Sequence, residues 1–507
     1  MSVSSANNKR IAKNTLFLYA RMMFLMLITF FTSRVILDKL GVVDYGIYNV
    51  VGGLASMFTF FRSSLSNATQ RYLSMALGKG DMEEAGRIFC QHQTLYGMTS
   101  IFIIGLSEIV GLWLLKNKLV ISPDRQVAAF WVFQFTVISL AFTLLSIVYD
   151  SVLIAREEMK VYSYVGIVEG VAKLAIAYFI SIFHFDRLIF YGFLLSSVSV
   201  GLVMFYAFYC SKHFPEATYR FLWNKTSIKE TFSFISWNVI GTAAWAINDQ
   251  GINILLNMFF GPAINAARGI AFQINQALNH FTASFFTAVR PQIIKSYASE
   301  DLRYLFRLLF SSSKFSFYLL WYLALPVMLH IDGILAIWLK DVPSYTNIFT
   351  IWVLVFSLVN TTNNPIWTLA LAIGKLKWYI IIGSSVFLLT FPIAYIVLKM
   401  GYPPVSVFVV STIVRAIYVL VVLLVIKRYI VFSLWDYLTN VIIPVLFVVM
   451  ISGTISFLIK DIYGGHFVGI LLTAVSTTII ISFSILLFGL NKPEREKIMA
   501  FTKRKIS

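Results

Sequence analysis

The sequence has 507 residues, of which 59% are hydrophobic and only 13% are charged, a composition too apolar for an ordinary soluble protein. Its net charge of +18 would suit a nucleic-acid-binding protein, but the basic residues are scattered over short connections between apolar runs, as membrane orientation signals are. We therefore exclude nucleic acid as a partner and expect a polytopic protein embedded in a lipid bilayer.

Apolar runs of about 20 residues, long enough to cross about 30 Å of hydrocarbon, recur along the chain. They predict an all-α protein with fourteen transmembrane helices, at about 14–37, 45–68, 92–115, 127–150, 161–183, 188–210, 232–256, 264–289, 315–338, 347–371, 378–398, 405–426, 437–459 and 467–489. Of the Lys and Arg residues in the connections, 27 lie on the side of the N-terminus and 8 on the opposite side. This asymmetry predicts that both termini are cytoplasmic.

The second predicted span carries a stripe of small and polar residues at alternating steps of three and four: Asn49, Gly52, Ser56, Thr59, Ser63, Ser66 and Gln70. This spacing puts them on one face of a helix. The stripe predicts the wall of a polar path, with Arg62 beside it near the cytoplasmic end. Close helix packing through small residues is the alternative interpretation.

A shift of 220 residues lays the second span over the eighth, and matches Gly41 with Gly261, Phe61 with Phe281, Ser64 with Ser284, Ala68 with Ala288, Asp81 with Asp301, and Arg87 with Arg307. The repeat predicts two six-helix lobes and two appended helices. Their limits are an N-terminal lobe at 1–210, a cytoplasmic linker at 211–230, a C-terminal lobe at 231–428, and two spans with a basic cytoplasmic tail at 429–507. Before the ninth span, the pattern at 302–310 predicts an amphipathic surface helix.

Six basic residues fall inside predicted spans, where a buried charge is costly: Arg21, Arg34, Arg62, Lys173, Arg268 and Arg415. Arginine binds phosphate oxygens in pairs, so these cations predict a site for an anionic, phosphate-bearing substrate. Structural alternatives stay open. Glu169 and Lys173, four residues apart, could neutralise each other, and the arginines near span ends could reach the membrane interface.

Two intramembrane carboxylates, Asp249 and Glu169, are candidates for coupling to H⁺ or Na⁺. Asp249 could equally pair with an arginine. Asn275 and Asn279 are candidate cavity residues on the eighth span, and the TTNNPIW stretch at 361–367 predicts a hinge or a kink. The sequence has no P-loop, no H-E-x-x-H, no G-x-S-x-G and no spaced His/Cys cluster, so we predict no catalytic residue, no metal site, no cofactor and no enzyme.

Several stretches resemble Wzx-type polysaccharide flippases of the multidrug/oligosaccharidyl-lipid/polysaccharide (MOP) exporter superfamily. They are SRVILDKLGVVDYGIYNVV with the polar span and basic GKGD loop that follow it, and NILLNMFFGPAINAARGIAFQINQALNHF with the later RPQIIKSYA. The resemblance implies two lobes in a MATE-like, pseudo-two-fold arrangement around a cationic cavity that works by alternating access. Arg21, Arg62, Arg268 and Arg415 match that cavity by type and location.

The implied cargo is a polyprenyl-pyrophosphate-linked oligosaccharide of O-antigen or capsule type. It would move from the cytoplasmic to the periplasmic leaflet of a bacterial inner membrane, alongside the polysaccharide synthesis machinery. One alternative is a multidrug or organic-cation antiporter of the MATE type, whose cavity should favour acidic and aromatic groups. A membrane-embedded polymerase would be expected to show a large outer loop or a soluble domain, and neither is present. A non-transporting scaffold of a synthesis complex is a further alternative.

Overall fold

The computed structural model describes residues 3–56, 60–156, 158–180, 182, 185–222, 225–374, 376–431, 433–462, 467–491 and 494–496. These residues form helices and short connections, without a β-strand among them. Their contacts divide the chain into two compact units, Met1–Ala266 and Ala267–Ser507. The predicted lobe limits at 210, 230 and 428 remain a prediction.

The described residues of the first unit form eight α-helices: α1 (Val3–Ser56), α2 (Phe60–Gly78), α3 (Met82–Leu106), α4 (Leu112–Asn117), α5 (Gln126–Ala155), α6 (Met159–Phe179), α7 (Arg187–His213) and α8 (Lys225–Phe260). The central helix is α5, which packs against α1, α2, α3, α6 and α7 and is largely buried. Helix α8 also packs against α1 and α2.

The second unit contains α9 (Pro262–Ala298, whose first turn belongs to the first unit), α10 (Leu302–Leu329), α11 (Ile331–Trp338), α12 (Thr346–Thr361), α13 (Asn363–Ile373), α14 (Leu376–Leu388), α15 (Thr390–Lys399), α16 (Val405–Lys427), α17 (Leu434–Tyr437), α18 (Ile443–Ile459) and α19 (Phe467–Ser484). Helix α16 is packed by α12, α13, α14 and α15, while α10 is packed by α12, α13, α18 and α19.

The predicted fold class is confirmed: the protein is an all-α polytopic membrane protein. By length and composition, nine stretches within the described ranges could each cross a membrane. The described residues of the five other predicted spans also lie on helices: in α1, in α1 and α2, in α8, in α9, and in α12 and α13. The stretch 302–310 is not a separate surface helix, because it is the beginning of α10 with Leu305 and Leu309 buried in the core.

Local geometry supports the predicted repeat at its matched positions. Gly41 and Gly261 both have a φ of 78°, a left-handed conformation that glycine adopts without strain, and each starts a new helical stretch. Forty residues later, the matched residues Asp81 and Asp301 are both helix N-caps. Their carboxylates accept the backbone N–H three residues on, at 2.8 Å and 3.0 Å. The same turn and cap therefore recur at an offset of 220 residues.

Helix is interrupted at one residue of the TTNNPIW stretch, since α12 ends at Thr361 and α13 begins at Asn363. The hinge or kink there remains a prediction. A break inside a membrane frees backbone groups that must bond within the protein. Here the Thr362 carbonyl accepts from Tyr437 Oη at 3.4 Å and from Ser313 Oγ at 3.5 Å. Two other helices of the same unit thus contact the chain at this interruption.

The predicted linker at 211–230 begins in the end of α7 and finishes in the start of α8, and its residues 214–222 pack on the first unit. Arg156, just after α5, donates from Nε to Glu216 Oε1 at 2.7 Å, and the side chain of Glu216 is fully buried. The Arg220 N–H donates to Cys90 Sγ on α3 at 3.3 Å. This part of the linker is therefore attached to the ends of α3 and α5.

A fully buried lysine fixes the last spans to the second unit. Lys314 on α10 donates from Nζ to Glu494 Oε2 at 2.7 Å and to the Gly489 carbonyl at 3.3 Å. Ser311 Oγ and the Asn491 N–H also donate to the Glu494 carboxylate, at 2.5 Å and 2.9 Å. Burial opposes ionisation of Glu494, but these hydrogen bonds outweigh it and hold the pKa of the carboxyl group below its usual value.

We expect the Glu494→Ala variant to lose about 3–5 kcal/mol of stability, because Lys314 would remain buried without its counter-ion. Thermal denaturation of the purified protein in detergent measures this loss. Because the folded-state pKa is depressed, the contribution of Glu494 is present above its usual pKa and is lost as the pH falls through the folded value. The exposed Glu496 provides the control, and equal stability of Glu494→Ala and Glu496→Ala would contradict the assignment.

Candidate functional site

A chain of buried amides runs along the predicted polar wall, starting near one end of α8. The Val120 N–H donates to Asn257 Oδ1 at 2.7 Å, and Asn257 Nδ2 donates to Asn265 Oδ1 at 3.1 Å. Asn265 Nδ2 then donates to both the carbonyl and the Oδ1 of Asn253, at 2.7 Å and 2.8 Å. Each of these three asparagines is at most 3% exposed, so the chain satisfies polar groups that lipid could not.

The amide chain continues towards Asp249. Asn253 Nδ2 donates to the Asn49 carbonyl and to Gln250 Oε1, both at 3.3 Å, and Gln250 Nε2 donates to Asp249 Oδ2 at 2.8 Å. A Cβ atom added to Gly53 would lie 2.4 Å from Gln250 Oε1, so this glycine allows α1 and α8 to approach closely. The candidate coupling residue Asp249 is therefore held at the end of a hydrogen-bonded chain.

The predicted stripe has two parts, one on α1 and one on α2. On α1, the Asn49 carbonyl accepts a hydrogen bond from α8, and the close contact with α8 is made by Gly53, a neighbour of the stripe that the sequence did not single out. A Cβ atom added to Gly52 would meet nothing within 4 Å, so this stripe member does not pack. On α2, Gln70 Nε2 donates to Ser66 Oγ at 2.8 Å. Thr59 and the side chains of Ser56 and Ser63 lie outside the described residues.

Arg62 pairs with Asp150, a carboxylate that the sequence analysis did not select. Arg62 Nη2 on α2 lies 3.2 Å from Asp150 Oδ2 on α5. The Arg62 side chain is 49% exposed and that of Asp150 only 10%. Asp150 stood at the predicted limit of the fourth span, and α5 continues to Ala155, which leaves the carboxylate inside the helix. The signal that could have found it was a lone Asp within the uninterrupted apolar pattern.

The predicted pair on α6 is confirmed, because Lys173 Nζ lies 2.6 Å from Glu169 Oε1. Both side chains are partly exposed, at 45% and 36%. The two charges neutralise each other over one helical turn. Lys173 and Glu169 therefore act as one neutral pair in this structure.

The eighth-span residues lie on α9. Arg268 is 6% exposed and stacks on Phe272, with the guanidinium carbon 4.1 Å from the ring centroid. Further along, Asn279 Nδ2 donates to Asn275 Oδ1 at 2.8 Å and to Ser357 Oγ at 3.3 Å, and Ser357 Oγ donates to Asn275 Oδ1 at 2.6 Å. The two predicted asparagines thus join α9 to α12.

Arg415 is 2% exposed, in the middle of α16. Its Nη2 donates to Asn360 Oδ1, and its guanidinium carbon lies 4.1 Å from the ring centroid of Tyr418 and 5.7 Å from that of Phe387. The aromatic rings and the amide replace water around the charge. Of the two remaining predicted cations, Arg34 is exposed on α1, and the side chain of Arg21 lies outside the described residues.

The first unit contains a second charge cluster that sequence reasoning missed. Arg125, before α5, donates to both oxygens of Asp44, at 2.8 Å and 2.5 Å, and to both oxygens of Asp186, at 2.5 Å and 3.3 Å. Asp186 also accepts the backbone N–H groups of Leu188 and Ile189. Burial opposes its ionisation, but these donors hold the pKa of Asp186 below its usual value. One arginine thus joins three connections at the predicted outer end.

The structure brings Arg62 to Asp150 and Lys173 to Glu169 within the first unit, and it places Arg268 and Arg415 in the second. Over the described ranges, no group of three or more His, Cys, Asp or Glu side chains could hold a metal ion. The chemistry that these residues offer is therefore charge pairing and hydrogen bonding inside a membrane-embedded helix bundle.

The fold is similar to those of several solved membrane transport proteins. The structure titled "Lipid II flippase MurJ, inward closed conformation" aligns with a TM-score of 0.67 and 14% sequence identity, over 92% of this chain and 98% of that chain. The structure of an inward-facing multidrug resistance MATE family transporter of the MOP superfamily aligns with a TM-score of 0.66 and 13% sequence identity, over 82% of this chain and 97% of that chain. An outward-facing transporter of the same description aligns with a TM-score of 0.57 and 12% sequence identity, over 82% of this chain and 95% of that chain. No protein-family model and no curated protein matches the sequence.

The glycines of the first unit provide a matched pair for a test. A Cβ atom at Gly46 would lie 1.8 Å from the Pro262 carbonyl oxygen, a backbone atom that cannot move away alone, whereas one at Gly52 would meet nothing within 4 Å. We expect Gly46→Ala to lower the thermal stability in detergent by about 1–3 kcal/mol or more, as an overpacked core does. Gly52→Ala is the control, and it should denature like the wild type. Equal midpoints for the two variants would contradict the close packing.

Proposed function

We propose that the protein is a Wzx-type flippase that moves a polyprenyl-pyrophosphate-linked oligosaccharide of O-antigen or capsule type. In this proposal the cargo crosses from the cytoplasmic to the periplasmic leaflet of a bacterial inner membrane by alternating access. Both termini lie in the cytoplasm, and the polysaccharide synthesis machinery supplies the cargo. The protein itself performs no covalent chemistry.

The observation that carries the proposal is the extent of the likeness to the lipid II flippase. That fold aligns over 92% of this chain, whereas the MATE transporters align over 82%. A flippase of a lipid-linked substrate therefore accounts for more of the chain than a drug transporter does. The sequence identity of 14% leaves the sugar unspecified.

The charges inside the spans favour an anionic head group. Arginine keeps its charge through a transport cycle and can bind two phosphate oxygens at once. The side chain of Arg62 is half exposed and can contact a ligand directly. Arg268 and Arg415 are buried against aromatic rings, so their contribution in this conformation is positive potential. Coupling to H⁺ or Na⁺ would use Asp249, which the amide chain positions.

We expect the Arg62→Ala variant to lower surface polysaccharide about tenfold or more in a strain that lacks its own exporter, because a charge-assisted phosphate contact is worth about that factor. Arg415→Ala should also lower it, because this variant removes positive potential. The measurement is an immunoblot of surface polysaccharide, normalised to the amount of protein in the membrane. Arg87→Ala is the control, because Arg87 is exposed and pairs with Glu84 on the same helix turn. Full complementation by both variants at normal protein levels would contradict the cationic site.

The MATE likeness, with a TM-score of 0.66, favours one further candidate, an antiporter of organic cations. Such a protein should protect cells from cationic dyes, and it should tolerate loss of the intramembrane arginines. Dye resistance conferred by the wild type and retained by Arg62→Ala would select this candidate over the flippase.

A further inference from the structure

We propose that Arg62 and Asp150 form an exchange site, in which the pyrophosphate of the cargo replaces Asp150 on Arg62 while Asp150 takes up one proton. The inference rests on the proposed function, because it assigns to this pair a step in loading that cargo. It concerns Asp150, which the sequence patterns did not identify.

Arg62 can leave the pair, whereas Asp150 cannot. Its single contact joins Arg62 Nη2 to Asp150 Oδ2 at 3.2 Å, and the remaining guanidinium nitrogens make no hydrogen bond to the described residues. Because the Arg62 side chain is 49% exposed, it can turn to another acceptor without breaking further bonds. A pyrophosphate offers that side chain two oxygens and more charge than one carboxylate oxygen does.

Asp150 cannot follow Arg62 to solvent. Its side chain is 10% exposed, and its Oδ1 atom is buried and accepts no hydrogen bond from the part of the chain that the structure describes. Loss of Arg62 would leave a carboxylate in an apolar setting without a counter-ion, which is costly inside a membrane. Protonation removes that charge, so ligand binding at Arg62 and proton binding at Asp150 are linked.

The neighbours of Asp150 act on its charge in both directions. Glu169 on α6 disfavours a negative charge on Asp150, whereas Tyr206 on α7 can donate a hydrogen bond that favours it. Cys210 on α7 is buried. Arg62 on α2 is the cation that pairs with Asp150, so its departure removes the counter-ion of a buried carboxylate.

The position of the pair fits loading from the cytoplasm. Asp150 lies five residues before the end of α5 at Ala155, or about 8 Å along the helix from its predicted cytoplasmic end. On α3, which also packs against α5, His92 is occupied by a 2.8 Å hydrogen bond to Thr69.

Calorimetric titration with farnesyl pyrophosphate tests the linkage on the full-length protein in detergent. Titrations in two buffers of different ionisation enthalpy give the protons taken up per ligand bound. We expect the wild type to take up about one proton more than Asp150→Asn, since the titration of the pyrophosphate itself is common to both proteins. Asp150→Asn should bind at least as tightly as the wild type, and Arg62→Ala roughly tenfold or more weakly.

Glu108→Gln is the matched control, because Glu108 is an intramembrane carboxylate that accepts from Gln134 at 3.1 Å and does not contact Arg62. It should keep the proton uptake of the wild type, and the uncharged farnesol should cause none. Equal proton uptake by wild type and Asp150→Asn, or weaker binding by Asp150→Asn, would overturn the exchange site.

If Asp150→Asn does not fold, infrared difference spectra of the wild type can test the exchange site instead. A protonated carboxyl band should appear when farnesyl pyrophosphate binds, and its absence would overturn the inference. Binding without proton uptake refutes the exchange site and leaves the flippase proposal standing. Failure of the wild type to translocate any polyprenyl-pyrophosphate saccharide in liposomes refutes the flippase proposal itself.

Discussion

The structure depends on one constraint: hydrocarbon offers no water to a polar group, so each buried donor, acceptor or charge must find its partner inside the protein. At several places the chain meets this constraint with partners that are distant in sequence. Asparagines join α8 to α1 and α9, and Lys314 joins α10 to Glu494 after the last span. The polar residues that disturb the hydropathy pattern are thus also those that fix the helices to one another.

The same constraint separates structural polar groups from those available to a ligand. Asn253, Asn257 and Asn265 are buried, and each is hydrogen-bonded by its neighbours, which makes them positioning residues. Arg62 differs because it is half exposed and its partner Asp150 holds it by a single contact. A charge that is held weakly and reached from outside can change partners. This difference makes Arg62, rather than the amide chain, the centre of the functional account.

Local rules predicted much of the fold. Hydropathy located nine stretches that could cross a membrane, the offset of 220 residues placed Gly261 and Asp301, and the four-residue spacing gave the pair of Glu169 and Lys173. The errors have a common cause. The partners of Arg62, Arg125 and Lys314 lie 61 to 180 residues away along the chain, and a single sequence carries no signal for such contacts. The amphipathic pattern at 302–310 predicted a helix on the membrane surface, but the structure packs the apolar face of this stretch into the core.

Transport by the purified protein tests the central claim most directly. The protein would be reconstituted in liposomes with a fluorescent polyprenyl-pyrophosphate saccharide, and a membrane-impermeant quencher would report the leaflet of the label. The account predicts transfer between leaflets in protein-containing liposomes, with much slower transfer for Arg62→Ala at equal protein content. Transfer no faster than in protein-free liposomes would contradict it.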